Sequence, residues 1–189
     1  MGRALDSGLP TINARTSHNH PCEIAGDLQF VRRVRGSLTD LKVVFVGEVT
    51  NLCRSWFEAA RILPIHVVQV GPEPYLLPQT QIDALNDGAV GHVAVSPLLD
   101  EHALKNAGVL YTDCRPKGAD DHTRGLFTPY RVTRAVVDAI ASDGLFLPCP
   151  PVTRGEEVSA DSLDSPTCRV YEAKEYLLHT QNAIMEALS

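Results

Sequence analysis

No stretch of the 189-residue sequence approaches the roughly 18–20 consecutive apolar residues that a membrane-spanning helix needs. The opening segment, MGRALDSGLPTINARTS, lacks an apolar core of the signal-peptide kind, so the expected location is cytoplasmic. Cysteine is sparse. The five residues Cys22, Cys53, Cys114, Cys149 and Cys168 form an odd set with no C-x-x-C pair, which argues against a disulfide framework or a zinc ribbon. Most are expected to be small buried hydrophobes. Positive charge is not in excess: 17 Lys and Arg face 23 Asp and Glu, a net charge of −6, and the basic residues are scattered, so a nucleic-acid groove is not indicated. There is no G-x-G-x-x-G turn for a dinucleotide, no internal repeat and no low-complexity tract. What remains is an ordinary globular composition, 44% hydrophobic and 21% charged, in a chain long enough for one domain with a sizeable core.

Short apolar runs alternate with helical patterns. KVVFVG (42–47), IHVVQV (65–70), GHVAV (91–95), GVLYTD (108–113) and GLFLPC (144–149) are continuous rather than alternating, which predicts strands buried on both faces of a parallel sheet. Helices are expected over about 51–63, 80–86, 98–107 and 129–142. In the first, Leu52, Trp56, Ala59, Ala60 and Leu63 recur at helical spacing. Two further helices, 22–34 and 172–188, bracket this core. Strands separated by helices of this length require right-handed crossovers, giving an α/β, doubly wound, three-layer αβα single domain. Residues 9–13 read as one more strand with nothing before it to pair with, so 1–18 is expected to be the remnant of an inter-domain connection and 19–189 the domain proper.

In such sheets ligands sit beyond the carboxyl ends of strands, and the chemically able residues cluster there. Asn51, in GEVTNLCRS, stands near a helix start suited to a carboxylate, although Thr50 or Asn51 also reads as a simple cap. Asp113 ends a strand where it can hold an ammonium or lie in solvent. Cys149 ends a strand in a loop stiffened by Pro148, Pro150 and Pro151. Arg154 follows in the same loop, able to fork phosphate or carbonyl oxygens or to pair with Glu156 or Glu157. His18 and His20, two apart in SHNHPCE, have no partner ligands at finger-like spacing, and Pro21 opens a helix there, so no metal is expected.

Taken together, these segments resemble the aspartate/ornithine carbamoyltransferase superfamily, in particular its ornithine branch. LPTINARTSHNHPCEIAGDL resembles the segment leading into the family's His-Pro-Cys-Gln motif, and LKVVFVGEVTNLCRS its strand with a Gly-Asp-x-Asn-Asn turn. LFTPYRVT resembles the stretch around Tyr-Gln-Val, LPCPPVTRGEEV the His-Cys-Leu-Pro-x-x-Arg-Gly-Glu-Glu-Val motif, and DSPTCRVYEAKEYLLHTQNAI the C-terminal helix with Leu-His-x-Gln. The resemblance implies transfer of the carbamoyl group of carbamoyl phosphate to an amino-acid amine, without metal or organic cofactor, in an oligomer. It implies that His20 polarises the carbamoyl oxygen, Arg154 binds carbamoyl phosphate, Cys149 with Asp113 holds the side-chain amine, and Asn51 meets the α-carboxylate end.

The sequence also departs from the family pattern. The N-terminal domain with its Ser-x-Arg-Thr motif is missing from these 189 residues. Glu23 stands for the glutamine of His-Pro-Cys-Gln, Pro148 for the histidine before the cysteine, and RPKG (115–118), with Lys117, for the ornithine branch's Ser-Met-Gly loop. Glu23 and Lys117 are therefore added to the candidate substrate-binding residues, with Lys117 suited to a more acidic substrate. Three readings stay open. The chain supplies the amino-acid half of a transfer site completed by a separate N-domain chain, and is inactive alone. It is a repurposed specialised-metabolite transferase. Or it is a non-catalytic amino-acid-binding or regulatory domain.

Overall fold

The computed structural model describes residues 10–188. Five strands form one wholly parallel sheet: β1 (Leu41–Val46), β2 (Ile65–Val70), β3 (His92–Ser96), β4 (Val109–Thr112) and β5 (Leu145–Pro148), in the spatial order β3-β2-β1-β4-β5. The chain builds outward from β1 through β2 to β3, returns to pair β4 with the other side of β1, and continues to β5. The connections run in opposite directions on either side of the gap between β1 and β4, which makes that gap the topological switch point.

Alternation along the strands sorts the core into two layers. Val43, Phe45, Val109, Tyr111, Leu145 and Leu147 face one side, where they pack with Trp56 and Phe57; Val44, Val46, Leu110 and Phe146 face the other. The first layer is covered by α1 (Pro21–Arg35), α2 (Asn51–Ile62), α3 (Gln79–Asn86) and α8 (Val170–Ala187). The second is covered by short helices, α4 (Glu101–Leu104), α6 (Arg134–Asp138) and α7 (Ala160–Leu163), while α5 (Asp121–Phe127) follows β4. The expected three-layer, doubly wound domain is present.

Helices starting on a good cap and carrying an apolar stripe agree with the sequence reading. In α2 the Thr50 hydroxyl accepts from the Cys53 amide, and Leu52, Trp56, Ala59 and Ala60 are buried. Trp56 lies edge-on to Tyr111 with ring centroids 5.6 Å apart. Where helices 98–107 and 129–142 were expected, the structure is more broken. The first shrinks to α4, with Asp100 capping the Ala103 amide and Asn106 at φ 62° ending the turn. The second splits into a 3-10 turn at Thr128–Tyr130, a bridge from Val132 to Val158, and α6. Leu98 is mostly exposed, so the apolar spacing there was no core stripe. Helices α5 and α7 escaped the sequence reading because each is barely two turns or less, too short to show periodicity. Of the expected strand over 9–13, Leu9 lies outside the described residues and 10–13 form no strand. Asn13 is instead tied to the start of α1, its amide donating to Asn19 Oδ1 at 2.7 Å.

Helices α1 and α8 cross closely at Gly26, where an added Cβ would come within 3.0 Å of the Leu177 main chain. That approach lays Lys174 of α8 against the α1 face carrying Glu23 and Asp27.

Candidate functional site

Strand register puts the loops in line. Val46 pairs with Thr112, and Thr112 with Pro148, so Gly47, Asp113 and Cys149 each follow the last residue of three adjacent strands. Beyond them opens a cavity of about 990 Å³. Its walls include His20, Glu23, Glu48, Asn51, Asp113, Lys117 and Cys149, together with Arg15 and Arg115. Six of the seven residues singled out from sequence therefore share one space. The seventh, Arg154, is exposed, bridges Val158 through its main chain, and does not line the cavity.

His20 is the residue before α1, held by its amide donating to Ser55 Oγ at 2.7 Å, while that hydroxyl donates to the Asn51 carbonyl. Its Nε2 lies 3.6 Å from Glu23 Oε2, and its buried Nδ1 has no hydrogen-bond partner among the described residues. Burial lowers the imidazole's pKa, with Glu23 pulling the other way, so the ring is neutral at neutral pH. His18 points elsewhere, 3.7 Å from Glu58. Among the described residues no group of three or more His, Cys, Asp or Glu is placed to hold a metal ion.

Glu23 does not stand as a bare charge on the cavity floor. Lys174 Nζ lies 2.6 Å from Glu23 Oε1 and 3.0 and 3.1 Å from the two Asp27 oxygens, while Tyr111 donates to Asp27 Oδ2 at 2.8 Å. Burial would strip the ammonium of its proton, but the facing carboxylates outweigh it and raise the Lys174 pKa, so the lysine stays charged. Asp27, 1% exposed, is pushed up by burial despite Lys174. The negative charge that the sequence put at the family's glutamine position is thus matched by a cation from the far end of the chain.

Cys149 is buried, its Sγ 3.9 Å from Glu23 Oε1 and 3.7 Å from the Pro150 carbonyl. Burial pushes the thiol up to about 12, with Lys174 opposing and Asp113, Glu23 and Asp27 adding to the rise. At neutral pH it is a thiol, suited to orienting a ligand and not to nucleophilic attack. Asp113 is 9% exposed and accepts from the Cys114 amide at 2.7 Å. Glu48, half-buried, is raised by burial and then by Asp113, so two carboxylates share this side of the cavity. Thr50 is the cap of α2, and Asn51 instead donates to the Thr16 carbonyl at 2.8 Å, tying the entering segment to the helix and leaving its second amide hydrogen unspent.

Sequence reasoning missed Glu48, Arg15, Arg115 and Lys174. Glu48 was legible, standing in the strand-to-helix turn at the family's aspartate position. Lys174 carried a subtler signal. It falls on the stripe Val170, Ala173, Leu177 of α8, and a lysine on a core-facing stripe requires a buried partner.

Residues 39–188 match the family described as aspartate/ornithine carbamoyltransferase, Asp/Orn binding domain. Among curated relatives, the ornithine carbamoyltransferase of Syntrophus aciditrophicus is 35% identical across 98% of this chain and 62% of its own length, and that of Chlorobaculum tepidum 32% identical across 98% and 56%. Among solved structures, ornithine carbamoyltransferase from Pyrococcus furiosus superposes with a TM-score of 0.88 at 30% identity, covering 96% of this chain and 60% of that one. The Gloeobacter violaceus enzyme gives 0.86 at 29%, covering 98% and 64%. The chain spans about 60% of the length of the relatives it matches. A parallel sheet of this order, a polar cavity at its switch point and these alignments lead to one conclusion: the chain belongs to the aspartate/ornithine carbamoyltransferase family and comprises its Asp/Orn binding domain.

Proposed function

We propose that this chain supplies the amino-acid-binding half of a carbamoyl-transfer site, acting in an oligomer with a carbamoyl-phosphate-binding domain carried on a separate chain. The observation behind this reading is the shared cavity, where His20, Glu23, Asn51, Asp113 and Cys149 converge from the ends of β4 and β5 and the starts of α1 and α2. The neighbouring carboxyls of Glu48 and Asp113 suit the ammonium of an ornithine-like amino acid, since a cation between them relieves their repulsion. Glu48, with its raised pKa, is the acceptor for the proton the amine must shed before attack. The free amine adds to the carbamoyl carbon and the C–O bond to phosphate breaks, phosphate leaving with the electron pair. His20 polarises the carbamoyl oxygen, Cys149 and Asp113 orient the amine, and the free amide hydrogen of Asn51 meets the α-carboxylate. Arg15 and Lys117, both exposed on the cavity wall, offer charge to the leaving dianion. Arg154 joins the site only if its loop is drawn in by the completing domain.

The test is a citrulline assay with ornithine and carbamoyl phosphate, run with this chain alone and mixed with a carbamoyl-phosphate domain from a relative, alongside calorimetry of ornithine binding. Activity on mixing only, and ornithine binding lost in Asp113→Asn, is the expected result. The exposed position of Arg154 favours a second reading, an amino-acid-binding module without transfer. Ornithine binding with no activity in any mixture would select it, and no binding of any amino acid would refute both.

A further inference from the structure

Next to the main cavity, and sharing Arg115 with it, lies a smaller one of about 210 Å³ lined by Arg115, Arg124, Phe127, Thr128, Arg131 and Glu156, with Gly155. Three guanidinium groups face a single carboxylate there. Their existing bonds are mostly to uncharged groups. Arg115 Nη2 donates to the carbonyls of Phe127 at 3.2 Å and Glu156 at 3.1 Å, and Arg131 Nε donates to the same Glu156 carbonyl at 3.3 Å. Neither Arg115 nor Arg131 forms an ion pair among the described residues. Among the described residues the Arg124 side chain has only a 3.5 Å contact with exposed Asp121. Arg115 is stacked over the Phe127 ring at 5.0 Å, which fixes its plane. Among the described residues, Nε and Nη1 of Arg115 and both terminal nitrogens of Arg131 have no acceptor. Burial acts most strongly against the charge on Arg115; Glu157, outside this cavity, partly offsets it, Arg131 adds to it, and Glu156 offsets it further, leaving the pKa lowered. Like-charged guanidiniums held this close with donors unspent are short of an anion.

We propose that this cavity is a binding site for a phosphoryl dianion, gripped by the forks of Arg115 and Arg131 with Arg124 adding charge. Planar forks match tetrahedral oxyanions bidentately, where lysines would act only as point charges. The inference rests on the arginine geometry alone and holds whether or not the chain takes part in carbamoyl transfer.

The experiment is calorimetric titration of the intact chain with inorganic phosphate at low ionic strength, with amide shifts recorded in parallel. Expected are shifts at Gly155 and Thr128, and affinity reduced roughly tenfold or more in Arg131→Gln, since a hydrogen bond to a charged group is worth about that factor. Arg131→Lys, which keeps charge but loses the fork, falls between. Arg124→Gln, at an exposed side chain, gives a smaller loss and serves should Arg131→Gln fail to fold. Lys105→Gln, an exposed residue at the opposite end of the sheet, leaves this binding unchanged, while Lys117→Gln removes at most phosphate held in the main cavity and leaves the Gly155 and Thr128 shifts in place. Glycerol phosphate in a second arm distinguishes a free anion from a phosphomonoester as the preferred source. Absence of phosphate binding overturns the proposal, as does binding undiminished by both arginine-to-glutamine changes or abolished by Lys117→Gln alone.

Discussion

Replacing Lys174 with methionine removes the cation that links α8 to α1 and leaves Glu23 and Asp27 facing each other in a buried setting. The lysine side chain is 19% exposed, Glu23 9% and Asp27 1%, so solvent screens the cluster weakly. Methionine keeps most of the side-chain volume, so the cost is electrostatic more than steric. Breaking a buried pair by deleting one partner costs about 3–5 kcal/mol. In a domain of this size each kcal/mol shifts Tm by about 2–4 °C, giving a drop of roughly 6–20 °C. The penalty has a defined pH dependence. Burial already raises Asp27, and without Lys174 nothing opposes it as strongly. A carboxyl raised on folding is penalised when ionised, so the loss is full above the raised folded pKa and vanishes as pH falls below the unfolded value of about 3.9. Urea unfolding of wild type and Lys174→Met from about pH 8 down to about pH 4 reads this directly as a converging difference in midpoint at constant slope. Adding Glu23→Gln to Lys174→Met should recover part of the loss at neutral pH. A difference under about 1 kcal/mol at neutral pH, or one that does not change with pH, would refute the claim that this ammonium offsets two buried charges.

Other consequences are open to measurement. Cys149, with its thiol raised to about 12, should resist iodoacetamide through pH 9 in the folded chain, and mass spectrometry showing its rapid alkylation near neutral pH would contradict the burial argument. Tyr111→Phe removes a buried hydrogen bond to Asp27 and should cost about 1–3 kcal/mol by urea unfolding, with little change in secondary structure. Gly91→Ala drives a Cβ into the Ile65 carbonyl oxygen, an overlap with main chain that only strand movement relieves, and should lower Tm far more than Gly125→Ala, where nothing among the described residues lies within 4 Å and the backbone is not left-handed. His20, neutral when folded and with a lowered pKa, favours the folded state fully above its unfolded value of about 6.5; that contribution is lost as pH falls through the lower folded value, and His20→Gln should flatten that part of the stability profile.

Much of this protein was set by local patterning. Continuous apolar runs bounded by turns specified all five strands to within a residue or so, because a strand buried on both faces admits few polar positions, and one that is buried, Gln69 of β2, has its amide satisfied by main-chain groups of Gly47, Tyr75 and Leu77. Pro21 at the start of α1, the Thr50 cap of α2 and the apolar stripes of α1, α2 and α8 did the same for the long helices. Fold class, and the rule that chemistry gathers beyond the strand ends, followed from those elements. Short helices such as α5 and α7, and the breaking of the expected helix after residue 129, were decided by contacts distant in sequence such as Val132 with Val158, which no local window contains. The site divides in the same way. Asp113 and Cys149 were legible because strand ends place them, but Arg154, drawn from the same loop, turns outward because main-chain bonding to Val158 sets the direction of that loop. Lys174 shows the deepest limit. Whether Glu23 is a bare repulsive charge or part of a cluster held by a shared cation depends on an ammonium about 150 residues away, since electrostatic energy follows distance in space and the dielectric around it, neither of which exists until α8 packs on α1.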